Sequence, residues 1–390
     1  MRVYLDNNAT TKLDDEVFRI MTPYLTEFYG NASSLHLFSK ETTDAMNGAR
    51  ETVADILGVS PDEIIFTASG SEADNMALRG IAKAYRNRGK HIISSSIEHH
   101  AIKNTLEDLR QDGYEITELP VDKNALVDLE ALKKAIRDDT ILISVMHANN
   151  EVGTIEPVEE IAKIAKAHKI IFHVDAVQTM GKIKVAPKET GIDLLSFSGH
   201  KFYGPKGIGC LYWRNGVRFA HTLTGGNQEK HRRPGTSDVA SMVGLAAALK
   251  KAVANEDEEY RRESELRDYF ESEILKKIPE IVINAKDVKR LAGTSSVTFK
   301  YLEGESILLS LSMKGIAVSS GSACSSDDLQ ASHVLLAMGI DPKFAHGTIR
   351  FSLGKYNTKE EIDYVVTTLT EIIARLRSLS PLWNEYIGAK

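Results

Sequence analysis

Cysteine is the scarcest informative residue, at two in 390. Two thiols make no disulfide framework and no cysteine-rich zinc site. Each must be explained alone, and a reducing cytoplasm is the expected setting. No run of about 18 apolar residues occurs, so no membrane span is predicted. The opening stretch MRVYLDNNATTKLDDEV lacks the charged-then-apolar order of a signal peptide. Positive charge is not in excess: 48 Lys and Arg face 54 Asp and Glu, for a net charge of −6. That balance argues against a dedicated nucleic-acid binder. Several motifs are missing too: the P-loop, a glycine-rich dinucleotide loop after a strand, His-Glu-x-x-His and Gly-x-Ser-x-Gly.

What is present is ordinary globular material, 42% apolar and 26% charged. The length suggests about two to three domains. Short apolar runs predict strands at Ile64–Thr67, His91–Ser95, Ile141–Met146, Ile170–Val174, Leu194–Phe197 and Ile208–Trp213. Helix-length amphipathic stretches lie between them, including Glu72–Tyr85, Ala101–Gln111 and Val158–His168. The alternation predicts an α/β fold with a mostly parallel sheet. The charged stretch Asn255–Glu273 reads as a solvated helix leading out of the large domain. A smaller α/β unit should follow, with strands at Ser296–Lys300, Ile316–Ser319 and Thr348–Leu353 and helices at Glu305–Met313 and Glu360–Arg377. Ser319–Ser326, SSGSACSS, is too poor in large side chains to pack rigidly and reads as a mobile loop.

In an open parallel sheet the ligand crevice lies at the carboxyl ends of the strands. Four predicted strands end in polar residues: Glu98-His99-His100, Asn149-Asn150-Glu151, Asp175 with Gln178, and Ser198-Gly199-His200-Lys201. A fifth run leads to Ser69-Gly70-Ser71, which reads either as a phosphate cradle at a helix start or as a simple serine N-cap. Lys201 alone reads as well as a solvated surface lysine. Asp175, 26 residues earlier, adds a second reading. Pyridoxal 5′-phosphate (PLP) needs a lysine for its aldehyde and a carboxylate for its ring nitrogen.

These residues sit in long ordered motifs: YLDNNATT at 4–11, GNASSLH at 30–36, SFSGHKFYGPKGIG at 196–209, SSGSAC at 319–324, TIRFSLGKYNT at 348–358 and LSPLW at 379–383. Together they resemble the cysteine desulfurases of the NifS/IscS type, within the fold-type I PLP-dependent enzymes, along essentially the whole chain. The resemblance implies a large PLP-binding domain over 12–258. It implies a small domain over 1–11 and 259–390, carrying a persulfide loop at 319–330. Lys201 would bond the cofactor covalently, Asp175 would hold its ring nitrogen and Gln178 its phenolic oxygen. His99 would stack on the ring and assist proton transfer. Gly70, Ser71, Ser198 and His200 match phosphate-binding positions. Thr236 matches a threonine reaching the cofactor of a second subunit, which implies a homodimer. Asn150 would sit beside cofactor and substrate, and Arg350 would receive the L-cysteine carboxylate. Cys324 matches the nucleophile that takes the sulfur as a persulfide, leaving L-alanine. Cys210, in an apolar run, reads as an inert core residue.

An iron–sulfur scaffold protein is the implied sulfur acceptor. Ser380–Trp383 resembles its docking region, although Leu382 and Trp383 are read as well as anchors of the last helix. The resemblance leaves open a selenocysteine lyase or another PLP lyase or aminotransferase; Cys324 favours sulfur transfer. A non-catalytic assembly subunit is disfavoured by the intact Lys201, Asp175 and Cys324. Ser69-Gly70-Ser71 and Ala32 depart from the usual family residues without removing a catalytic group, and His100 has no assigned role.

Overall fold

The computed structural model describes residues 1–320 and 331–388. Its strands, in chain order, are β1 (Val3–Tyr4), β2 (Ile64–Thr67), β3 (His91–Ser95), β4 (Glu115–Leu119), β5 (Thr140–Met146), β6 (Ile171–Asp175), β7 (Leu194–Ser198), β8 (Gly209–Trp213), β9 (Ile281–Ile283), β10 (Thr294–Phe299), β11 (Ile316–Ala317), β12 (Ser319–Ser320) and β13 (Thr348–Ser352). Seven form one sheet in the order β2-β8-β7-β6-β5-β3-β4. Within it only β8 runs antiparallel to its neighbours.

Alternation along each strand sends side chains to opposite faces. Ile64 and Phe66 join the core on one face, against the helices Lys40–Leu57, Val158–Ala167 and Val239–Ala254, while Ile65 joins the other. Ile92 and Ile93, Leu142 and Ile143, and Leu194 and Leu195 divide the same way. The helices Gly70–Tyr85 and His100–Gln111 cover the second face. Both faces are buried, as the near-continuous apolar runs demand.

A separate core surrounds a four-stranded antiparallel sheet, β12-β13-β10-β9. The helices Glu256–Lys277, Gly304–Met313 and Lys359–Leu379 enclose it, and Phe270 meets Phe351 at 4.8 Å. Val3 and Leu5 belong to this core although they open the chain. The parallel pair β1-β11 ties them in.

Three expectations are corrected. The predicted strand Ile316–Ser319 is two strands in different sheets, because β11 pairs with β1 and β12 with β13. The charged helix is longer than predicted and not wholly solvated: Phe270, Glu271 and Ile274 are buried. Edge strand β4 was absent from the sequence reading; its EITEL sequence is mostly solvated.

Candidate active site

The polar strand ends converge. A cavity of about 570 Å³ is lined by Gly70, Ser71, His99, Asn150, Asp175, Gln178, Ser198, His200, Lys201 and Arg350. Ten of the eleven predicted site positions other than the nucleophile line this cavity. Thr236 is exposed ahead of the helix Val239–Ala254 and does not line the cavity. Cys324 lies outside the described residues.

The loop after β7 makes one 3₁₀ turn, Gly199–Lys201, which brings Lys201 to the cavity. Its Nζ donates to the carbonyls of Asn8 at 2.5 Å and Ala9 at 2.9 Å. Asp175 ends β6, and its Oδ1 accepts from the Val177 N–H at 2.9 Å. Burial pushes the Asp175 carboxyl up from its ordinary range, while that N–H and the Lys201 cation pull it back.

His99 caps the helix His100–Gln111, with Nδ1 accepting from the Ala101 N–H at 3.1 Å. In the neutral ring the proton then sits on Nε2. Burial, followed by the nearby Lys201 and His100 charges, lowers the His99 pKa to about 4. His99 is therefore a neutral imidazole at neutral pH. His200 is likewise lowered to about 4, mainly by burial, and its Nδ1 meets Thr10 Oγ1 at 3.1 Å.

Ser69 caps the helix Gly70–Tyr85 through the Glu72 N–H, which leaves the first-turn N–H groups of Gly70 and Ser71 for an anion. A Cβ at Gly70 would come within 2.8 Å of Val177 Cγ2, so this wall of the cavity has no room for a side chain.

Arg350, on β13, reaches across from the small sheet. Its Nη2 meets Asp6 Oδ1 at 2.8 Å, its Nη1 donates to the Asn150 carbonyl at 3.0 Å, and its Nε is buried without a partner. Nothing local in the sequence marks Asp6 for this contact. Asn8 is equally silent in the sequence, yet its carbonyl accepts from Gln178 Nε2 at 3.0 Å and its Nδ2 donates to Thr294 Oγ1 at 2.9 Å. Two buried acids were also missed. Asp74 lines the cavity with Oδ1 making no hydrogen bond among the described residues and His173 Nε2 3.7 Å away, and burial together with Asp175 raises its pKa well above the carboxylate range. Glu98 accepts from Ser95 Oγ at 2.5 Å and the Met146 N–H at 2.9 Å, and burial lifts it to about 8. Cys210 is buried and its thiol is pushed far up by burial, matching the inert reading.

These residues fit PLP. The small-residue helix start suits a phosphate, the buried Asp175 carboxylate suits a protonated ring nitrogen, and Lys201 shares their cavity. An open, mostly parallel α/β sheet with a lysine and an aspartate at adjoining strand ends defines a class, the fold-type I PLP-dependent enzymes. Residues 3–365 match the aminotransferase class-V family. A cysteine desulfurase IscS of Dictyoglomus turgidum is 50% identical over 384 residues, covering 98% of each chain. A solved NifS-like protein superposes with a TM-score of 0.91 at 41% identity, covering 96% of this chain and all of its own. The structure titled SspA in complex with cysteine matches with a TM-score of 0.80 at 34% identity, over 91% of this chain and all of that one. The chain belongs to the aminotransferase class-V family, and within it to the cysteine desulfurases of the NifS/IscS type.

Proposed function

We propose that the chain takes sulfur from L-cysteine, forms a Cys324 persulfide and releases L-alanine. The observation that carries this reading is the meeting of Lys201, Asp175, His99 and Arg350 in one cavity. PLP bound there supplies an electrophilic aldehyde and a ring that accepts the electron pair left at the substrate Cα.

Gly70, Ser71, Ser198 and His200 would hold its phosphate, Asp175 its ring nitrogen and Gln178 its phenolic oxygen. Lys201 Nζ moves the Cα proton. His99, neutral with its proton on Nε2, would lie against the ring and offer a hydrogen bond rather than a charge. Arg350 takes the substrate carboxylate, with Asn150 fixing the guanidinium through its carbonyl. The Cys324 thiolate attacks the substrate sulfur; the carbon–sulfur bond breaks, and the proton balance closes as thiol plus cysteine gives persulfide plus alanine.

The two separate cores support domains at 12–258 and at 1–11 with 259–390. Exposed Tyr29, Leu35, Leu37 and Phe38, together with exposed Thr236, support a homodimer in which Thr236 serves the second subunit's site. Exposed Leu379, Leu382 and Ile387 support docking of an iron–sulfur scaffold at the C-terminal helix. Trp383 packs on Arg377 and Tyr386, so both readings of that segment have support. No helix among the described residues is long and apolar enough to cross a membrane, and a cytoplasmic setting remains our reading.

The test is alanine release from L-cysteine by wild type, Lys201→Ala and Cys324→Ala. Both variants should lose turnover, and only Cys324→Ala should keep the yellow cofactor band. Full turnover by either refutes its assigned role.

A further inference from the structure

A second cavity, of about 320 Å³, lies in the seam between the two cores and shares Lys201 with the catalytic cavity. A void of about 150 Å³ already admits a benzene-sized molecule, so this one has room for a small amino acid.

Its charges are unevenly paired. Asp14 is held by Lys251 at 3.1 Å and by Lys355, and Glu259 is held by Arg262 at 2.8 Å. Lys182 and Glu263, which also line the cavity, are not joined by any ion pair among the described residues. Lys182 makes one long side-chain hydrogen bond, 3.4 Å to Gln178 Oε1. The Glu263 carboxylate makes no hydrogen bond among the described residues. Burial pushes Glu263 up and Lys182 down, each partly offset by the other's charge. Glu256 lies two turns before Glu263 on the same helix, lines the same cavity, and has its Oε2 buried without a partner. Opposite charges therefore line one partly open cavity with no ion pair between them, an arrangement that a bridging ligand would relieve.

We propose that this cavity binds a small zwitterionic α-amino acid, its carboxylate on Lys182 and its ammonium on Glu263 and Glu256. Substrate and product of the proposed reaction both carry that chemistry. An occupant would adjoin Lys201 and, through Lys182, Gln178, so the site would report amino-acid level to the catalytic cavity. The binding claim stands on the cavity alone; only the link to catalysis rests on the desulfurase reading.

The test is calorimetric titration of L-alanine into the PLP-loaded protein. Wild type should bind one more equivalent per chain than Glu263→Gln, or bind that equivalent about 10–100-fold more tightly, the range for a lost charge-assisted hydrogen bond. Glu256→Gln is the second variant, used where Glu263→Gln lacks the wild-type circular dichroism. Propionate and ethylamine, each with half the charge pair, should leave the extra site empty. Replacing alanine with L-serine assigns the source: tighter serine marks a substrate-sensing site, tighter alanine a product-sensing one, and both uphold it. Equal stoichiometry and affinity in wild type and both variants overturn the proposal, and do so whatever the desulfurase assay shows.

Discussion

Glu98 makes the sharpest stability prediction. Its side chain is fully buried beside the cavity, with Oε1 accepting from Ser95 and Met146 and Oε2 unpartnered. Burial raises its pKa from 4.5 to about 8. The folded state therefore keeps a proton that the unfolded chain releases. Stability from this group is complete below pH 4.5 and falls as pH rises to about 8, beyond which the loss is constant. At about 1.36 kcal/mol per pH unit, titration across that window removes at most ~5 kcal/mol. Glu98→Gln keeps an acceptor for both donors but cannot ionise. Urea midpoints for wild type and variant should nearly coincide at pH 5. At pH 9 the variant should be the more stable. Comparing the two proteins at each pH cancels the other titrating groups. An equal difference at both values refutes the claim that Glu98 is held neutral.

Arg350→Lys keeps the charge but loses the planar fork that spans Asp6 and Asn150. KM for L-cysteine should rise about 10–100-fold, the equivalent of roughly 1.5–3 kcal/mol, with a smaller effect on kcat in steady-state assays. Phe270→Ala removes a ring fully buried against Phe351. Denaturant unfolding followed at the small core should show a loss of about 3–5 kcal/mol, with bound-cofactor absorbance retained under native conditions.

The strand ends were legible because each apolar run stops where a buried strand must stop, and its polar successor then faces the crevice. That logic and the chemistry of PLP made Lys201 and Asp175 candidates, and the family resemblance supplied their roles. Asp6 did not yield to it: its partner Arg350 is 344 residues away, and nothing local in LDNN signals an ion pair. Asp74 reads as an ordinary helical residue until the packing of Gly70–Tyr85 on the sheet buries it beside Asp175. Strand β4 escaped notice because an edge strand with little buried surface has little hydrophobic signal. The split of Ile316–Ser319 was hidden for a different reason. One short β-prone run was shared between two partners, β1 and β13, that come from opposite ends of the chain.

The central claim is that sulfur leaves L-cysteine and arrives on Cys324. Peptide-mapping mass spectrometry after brief exposure to L-cysteine and alkylation tests it most directly. One added sulfur on the Cys324 peptide, none on the Cys210 peptide, and an equivalent of L-alanine are predicted. Cofactor on Lys201 with alanine released but no sulfur on Cys324 would contradict it.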